Sequence, residues 1–76
     1  MVGKKVKALL SLKDKKQIDT LGALGVSSKQ ALSTKFSLNR FTVQDLIKIC
    51  GLLDCELIVK DKSTGKDLIS FDIDDV

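Results

Sequence analysis

Apolar side chains recur at helical spacing over about the first two thirds of the chain and at alternate positions near its end. The helical part divides into four short segments, placed at about 4–12, 15–24, 28–36 and 43–53. Two runs rich in β-branched and aromatic residues follow, 55–60 and 67–73, with a hydrophilic stretch between them. This order predicts a mainly α fold of four helices with a short C-terminal β-hairpin.

Residues at the expected helix ends set the boundaries of the second and third helices. Asp14 is expected to cap the second helix, with Gln17 three residues later as its partner in a capping box. Gly25 is expected to make the following turn, because a residue without a Cβ bends the backbone there at little cost. Either Ser27 or Ser28 then caps the third helix, and the sequence leaves both open.

The core is predicted from side chains that share one face of each helix. The fourth helix carries the strongest helical signal and begins at a capping box made by Thr42 and Asp45. On the third helix, Leu32 and Phe36 lie four residues apart and are expected to point inward together. The other residues expected to face the core are Val6, Leu9, Leu10, Ile18, Leu21, Gly22, Val43, Leu46, Ile47, Cys50 and Leu53.

Length and charge give the organisation of the chain. Its 76 residues suit a single domain, 1–76, in which a helical part, 1–54, precedes a hairpin and acidic tail, 55–76. Residues 1–41 carry nine basic and two acidic side chains, a net charge of +7, and residues 42–76 carry a net charge of −4. This asymmetry favours an N-terminal surface that meets a polyanion, although solvated surface lysines account for the same numbers.

Composition argues against several other classes of protein. Cys50 and Cys55 form no CxxC pair and the chain has no histidine, so no metal site is expected and the thiols are expected to stay reduced in the cytoplasm. The chain also lacks tyrosine and any glycine-rich phosphate loop, so no enzymatic activity, cofactor or small-molecule substrate is expected. No apolar run approaches the ~20 residues that span a bilayer, and no membrane association is expected.

The second and third helices together describe a helix-turn-helix. They are short, a glycine turn joins them, and the third is capped by serine and rich in Lys, Gln, Ser and Thr. Gly22 beside Leu21 allows the third helix to cross closely, and Leu32 supplies the facing side chain. A plain pair of antiparallel helices has the same pattern, so the residues alone leave DNA recognition and a structural helical hairpin equally open.

A resemblance to a known family is carried by residues 21–57, LGALGVSSKQALSTKFSLNRFTVQDLIKICGLLDCEL. This run, about half the chain, resembles the small Cro/repressor-type (Xre-like) helix-turn-helix proteins of Gram-positive bacteria, their phages and mobile elements. SSKQALSTKF is similar to the recognition helix of that family, and FTVQDLIKIC is similar to the scaffold helix behind it. The resemblance implies a DNA-binding domain, repressor-like transcription regulation and homodimerisation. One departure is that the spacing from the turn glycine to Leu32 differs by one residue from the family pattern.

A helix that starts at residue 28 and buries Leu32 and Phe36 turns a polar face outward. The residues expected to read base edges in the major groove are Lys29, Gln30, Ser33 and Thr34. Those expected to bind phosphates are Ser27, Ser28, Lys35, Asn39 and Arg40. Double-stranded DNA is therefore the expected partner, and ordinary solvation is the alternative for each side chain taken singly.

The predicted hairpin suggests a second copy of the chain as a further partner. Ile69, Phe71 and Ile73 alternate with polar residues, so one face is apolar, and a two-stranded hairpin alone is marginal in water. A homodimer through the C-terminal hairpin is therefore expected. The alternative function is a small protein-interaction module, an antirepressor or inhibitor from a mobile element with the same fold, which the acidic C-terminal part favours.

Overall fold

The computed structural model describes all 76 residues and confirms a mainly α fold that ends in a β-hairpin. The helices are α1 (Val2–Leu12), α2 (Leu21–Leu24), α3 (Lys29–Ser37) and α4 (Val43–Leu52), the strands are β1 (Leu57–Lys60) and β2 (Asp67–Phe71), and 3-10 turns occupy Gln17–Thr20 and Ile73–Asp75. None of the helices combines the length and the apolar character needed to cross a membrane.

A single hydrophobic core joins the four helices. Leu10 of α1, Leu32 of α3 and Ile49 of α4 are almost completely buried within it. Phe36 is also buried and packs edge-on against Phe41, with 5.0 Å between the ring centroids. The predicted inward pair on the third helix, Leu32 and Phe36, is therefore confirmed. Val6, Leu24 and Leu53 complete the buried cluster.

All four helices end with the same backbone motif, and three of them form it without a glycine. α1, α3 and α4 are each followed by a residue in the left-handed region, Asp14 (φ 56°), Asn39 (φ 55°) and Asp54 (φ 55°) respectively. In each, the next N–H returns to a carbonyl in the last turn of the helix, as Cys55 does to Cys50 at 2.7 Å. Asp and Asn are the non-glycine residues that enter this conformation most readily, which explains their place here.

The second predicted helix begins differently from the prediction. Asp14 does not cap it, because Asp14 closes the end of α1 instead. Residues 17–20 form a 3-10 turn, at whose start the carboxylate of Asp19 accepts a hydrogen bond from the N–H of Lys16 at 2.8 Å. The α-helix that follows is only Leu21–Leu24, so Gln17 belongs to the 3-10 turn and not to a capping box with Asp14.

The inward face of this segment is also different. Ile18 and Gly22 were expected in the core but are exposed, whereas Thr20 and Leu24 are buried. A 3-10 turn has about 3.0 residues per turn, so it presents other positions to the core than an α-helix of the same sequence would. The hydroxyl of Thr20 donates to the carbonyl of Gln17 at 2.7 Å, which satisfies this polar group inside the core.

α4 begins as predicted but buries a wider face than predicted. The hydroxyl of Thr42 accepts from the N–H of Asp45 at 3.1 Å, and the carboxylate of Asp45 accepts from the N–H of Thr42 at 2.9 Å. Val43, expected in the core, is exposed, and Leu46 is only half-buried, whereas Ile49 is almost completely buried. The reason is that α4 contacts α2 and also β1 and the final 3-10 turn, so buried positions extend around more of the helix.

The β-hairpin extends from the helical core as an antiparallel pair. Leu57 faces Phe71 and Val59 faces Ile69, and a bulge follows before Lys60 faces Asp67. Gly65, with φ 71°, makes the left-handed residue of the connecting turn. The molecule measures 41 × 25 × 22 Å, and most hairpin side chains are exposed. The hairpin predicted from the alternating pattern is confirmed, with shorter strands than the sequence suggested.

Candidate nucleic-acid interface

The start of α3 is fixed by two local features. Gly25 ends α2 in the left-handed conformation, with φ 66°, as its place in the predicted turn required. Ser28 then caps α3, because its hydroxyl oxygen accepts from the N–H of Ala31 at 3.1 Å. Of the two alternatives left open by the sequence, Ser28 is thus the cap and Ser27 precedes it.

The four side chains predicted to read bases all lie on α3 and are all exposed: Lys29, Gln30, Ser33 and Thr34. With Leu32 and Phe36 pointing inward, the 100° step of an α-helix puts Gln30 and Thr34 on the outermost part of the surface. The hydroxyl of Thr34 donates to the carbonyl of Gln30 at 3.0 Å. Its oxygen lone pairs and its methyl group therefore remain as its contact groups, while both ends of the Gln30 amide are free.

A shallow groove runs beside this exposed face. It is lined by Ser28, Gln30, Thr34, Lys35 and Arg40, among others. Arg40 is exposed, so its guanidinium is available next to the outward residues of α3. The structure thus brings Ser28 and Arg40, two of the predicted phosphate contacts, to the same groove as Gln30 and Thr34, two of the four predicted base contacts. Lys29 lies outside this groove, beside Gln17 and Ile18.

Lys35 lies in this groove but is occupied by the protein itself. Its ammonium is 2.8 Å from the carboxylate of Asp45 and 5.9 Å from the centre of the Phe41 ring. Burial alone would raise the pKa of Asp45, but hydrogen bonds from Lys35 and from the N–H of Thr42 outweigh it and hold that pKa below its usual value. This ion pair joins α3 to α4, and it balances the charge of Lys35 within the protein.

Asn39 also has a partner within the protein. Its side-chain oxygen accepts a hydrogen bond from the N–H of Gly3 at 2.7 Å, so the residue that closes α3 also holds the first turn of α1. A Cβ at Gly3 would collide with the carbonyl oxygen of Phe36, so only glycine allows the two backbones to approach this closely. Asn39 is therefore a joint between α1 and α3.

Two lysines outside the predicted set of DNA contacts lie next to this joint. Lys4 and Lys7, both exposed, line a small cleft together with Ser37 and Asn39 at the C-terminal end of α3. The signal in the sequence was their spacing of three residues, which places both on one side of α1. The sequence alone does not show that this side of α1 borders α3.

The candidate interface therefore consists of the exposed face of α3, the groove with Arg40 and the cleft with Lys4 and Lys7. Searches against protein-family models, curated proteins and solved structures find no match to this chain. The likeness of residues 21–57 to Cro/repressor-type proteins thus stays an inference from the residues themselves.

Proposed function

We propose that this protein is a sequence-specific, double-stranded DNA-binding transcription regulator of the Cro/repressor type that reads the major groove with α3. The observation that carries the proposal is the exposed polar face of α3, where Gln30 and Thr34 are outermost and Leu32 and Phe36 anchor the helix from behind. A helix-turn-helix uses its second helix in this way, with its polar side chains against base edges. Repression, a phage or mobile-element origin and a cytoplasmic location are parts of the same proposal.

The side chains divide into two roles in this proposal. Gln30 is suited to a bidentate contact with adenine and Lys29 to guanine acceptors, while Ser33 and Thr34 suit polar or methyl contacts with base edges. Arg40, Ser27 and the capped start of α3 at Ser28 are suited to phosphates. Lys35 and Asn39 bind other parts of the protein, so we expect them to position α3 and not to contact DNA.

The experiment that tests this function is selection of duplexes from a random library, followed by equilibrium binding of the selected and a scrambled duplex at several salt concentrations. We expect preference for the selected duplex and a steep loss of affinity as salt rises, because phosphate contacts release counterions. Binding that is absent, or equal for both duplexes at every salt concentration, would contradict the proposal.

A homodimer through the hairpin belongs to the same proposal. Val59 and Ile69 face each other across the sheet and are 46% and 58% exposed, and Leu68 on the other side of β2 is 60% exposed. A two-stranded sheet has two unpaired edges, and such edges with apolar side chains favour pairing with another strand. We infer that the second copy of the chain covers this surface and gives the regulator a two-fold axis.

The exposed hairpin also supports a second candidate function. An apolar surface next to the acidic residues Asp72, Asp74 and Asp75 suits a basic, apolar protein partner, as expected of an antirepressor or inhibitor with this fold. In that case duplex DNA would bind weakly and without sequence preference. The same binding experiment therefore separates the two functions.

A further inference from the structure

We infer that α1 is a second phosphate-binding element, in which Lys4 and Lys7 hold the backbone of the duplex whose bases α3 reads. This inference rests on the proposed function and adds contacts that lie outside the helix-turn-helix. The charge of Lys35 is neutralised by Asp45. In this inference, Lys4 and Lys7 supply the positive charge beside α3 instead.

Both lysines lie beside the C-terminal end of α3. Lys4 and Lys7 lie on the side of α1 that borders α3, and they share a cleft with Ser37, the last residue of α3. Both are exposed, and neither takes part in a salt bridge. α1 contains no acidic residue, so nothing within the helix offsets their charge. A duplex that lies along the exposed face of α3 would bring a strand of phosphates past this end of the helix.

The joint between α1 and α3 is held by two contacts at Gly3. Gly3 directly precedes Lys4 and is held by the 2.7 Å hydrogen bond to Asn39 and by the close approach to the Phe36 carbonyl. α1 therefore cannot slide or rotate against α3 without breaking these contacts. A phosphate contact fixes register only if its distance from the base-reading residues is fixed, and this joint supplies that constraint.

A purely structural role for the two lysines makes a different prediction. The C-terminal end of a helix carries a partial negative charge, and cations beside it stabilise the helix. If Lys4 and Lys7 served only the end of α3, replacing them would lower the melting temperature and would leave the salt dependence of DNA binding unchanged.

Lys5 provides a matched control on the same helix. It is exposed and carries the same charge, but it lies on the other side of α1, where it borders Leu9, Cys50 and Leu57. The substitutions Lys4→Ala, Lys7→Ala and Lys5→Ala each remove one positive charge from α1. Only the first two remove a charge from the cleft beside α3, so a general effect of net charge will appear equally in all three.

The test measures the dependence of the logarithm of the binding constant on the logarithm of salt concentration, for the parent and each variant on the selected duplex. We expect Lys4→Ala and Lys7→Ala each to reduce the slope by about 0.9, the value for one phosphate contact, and their double variant by about twice that. Lys5→Ala should leave the slope of the parent unchanged. A double variant that keeps the parent's slope overturns this inference, and a parent without salt-dependent duplex binding overturns the proposed function as well.

A second measurement needs no variant. Lysines of the full chain are acetylated with a limiting amount of an amine-reactive ester, free and bound to the selected duplex, and modification is read by mass spectrometry. We expect Lys4 and Lys7 to be protected several-fold in the complex, and Lys5 and Lys62 to react equally in both states. Equal modification of Lys4 and Lys7 in the two states would contradict the inference even if the parent binds DNA.

Discussion

Side chains along α3 differ in whether they already bind another part of the protein. A side chain without such an internal partner is free to contact a ligand. Gln30 is exposed and both ends of its amide are free, whereas the ammonium of Lys35 is paired with Asp45 and lies over Phe41. The two residues are five positions apart on one helix, yet one suits an outside partner and the other an internal one.

Replacing Gln30 tests base reading. Gln30→Ala should cost about 1–3 kcal/mol of binding free energy on the selected duplex and little on a scrambled one, because a bidentate contact to a base edge would be lost. Gln44→Ala, an exposed glutamine on α4, is the control and should bind as the parent does. Equal loss on both duplexes would mean that α3 does not read bases through this residue.

Replacing Lys35 tests its structural role and gives a pH dependence. The pKa of Asp45 is lowered in the fold, so its ionised form stabilises the protein above the usual aspartate pKa of about 3.9, and that contribution is lost as pH falls further. Lys35→Ala should therefore lower the free energy of unfolding at pH 7, and the difference from the parent should shrink below about pH 4. Urea unfolding from pH 7 to 3 measures this. A difference that stays constant over that range would show that the Asp45 pair is not the cause.

Helices in this protein are closed more often by a polar residue in the left-handed conformation than by glycine. Asp14, Asn39 and Asp54 close α1, α3 and α4, and only α2 uses glycine, at Gly25. The side chain of Asn39 also holds α1 through its hydrogen bond to Gly3, whereas Asp54 is exposed and precedes β1. The backbone conformation at Asp54 is one that glycine adopts without steric cost.

Asp54→Gly should therefore stabilise the protein. We expect a gain of about 0.5–1 kcal/mol in the free energy of unfolding, because the left-handed conformation after a helix favours glycine over residues with a Cβ. Gly25→Ala is the opposite change at an equivalent helix end and should destabilise by a similar or larger amount. Thermal and urea unfolding measure both. A melting temperature of Asp54→Gly below that of the parent would show that the Asp54 side chain stabilises the protein by more than its left-handed backbone conformation costs.

The whole molecule presents the polar face of α3 and an apolar hairpin as separate surfaces. The exposed large apolar residues of the C-terminal part are Ile58, Val59, Leu68, Ile69, Ile73 and Val76. A monomer with this much exposed apolar surface on one hairpin is open to association, and a second copy is the occupant we propose. A symmetric dimer would also present two copies of α3 to two half-sites of one duplex.

Ile69→Lys tests the dimer. This side chain is 58% exposed in one copy, so a lysine there should leave the fold of the chain intact and place like charges across a two-fold interface. In sedimentation experiments, we expect the parent to have a mass of twice the 8.3 kDa of one chain, and Ile69→Lys to have the mass of a monomer. Leu12→Lys, at an 81% exposed position outside the hairpin, is the control and should remain dimeric. A parent that sediments as a monomer would contradict the proposal.

Features that depend on residues three or four positions apart could be predicted from the sequence alone. The Thr42–Asp45 capping box, the turn at Gly25 and the inward pair Leu32 and Phe36 are all confirmed, because their partners lie within one helical turn. The order of helices and hairpin follows from the same short-range periodicity. It needed no knowledge of how the elements pack.

Which polar side chains find a partner within the protein depends instead on how the helices pack against one another. Asn39 accepts a hydrogen bond from Gly3, which is 36 residues away, and Lys35 pairs with Asp45 on another helix, and the sequence predicted neither partner. The same packing placed Lys4 and Lys7 beside α3. Such pairings depend on the positions of whole helices, and burial of apolar area in the core sets those positions. A local sequence pattern therefore does not predict which polar groups come into contact.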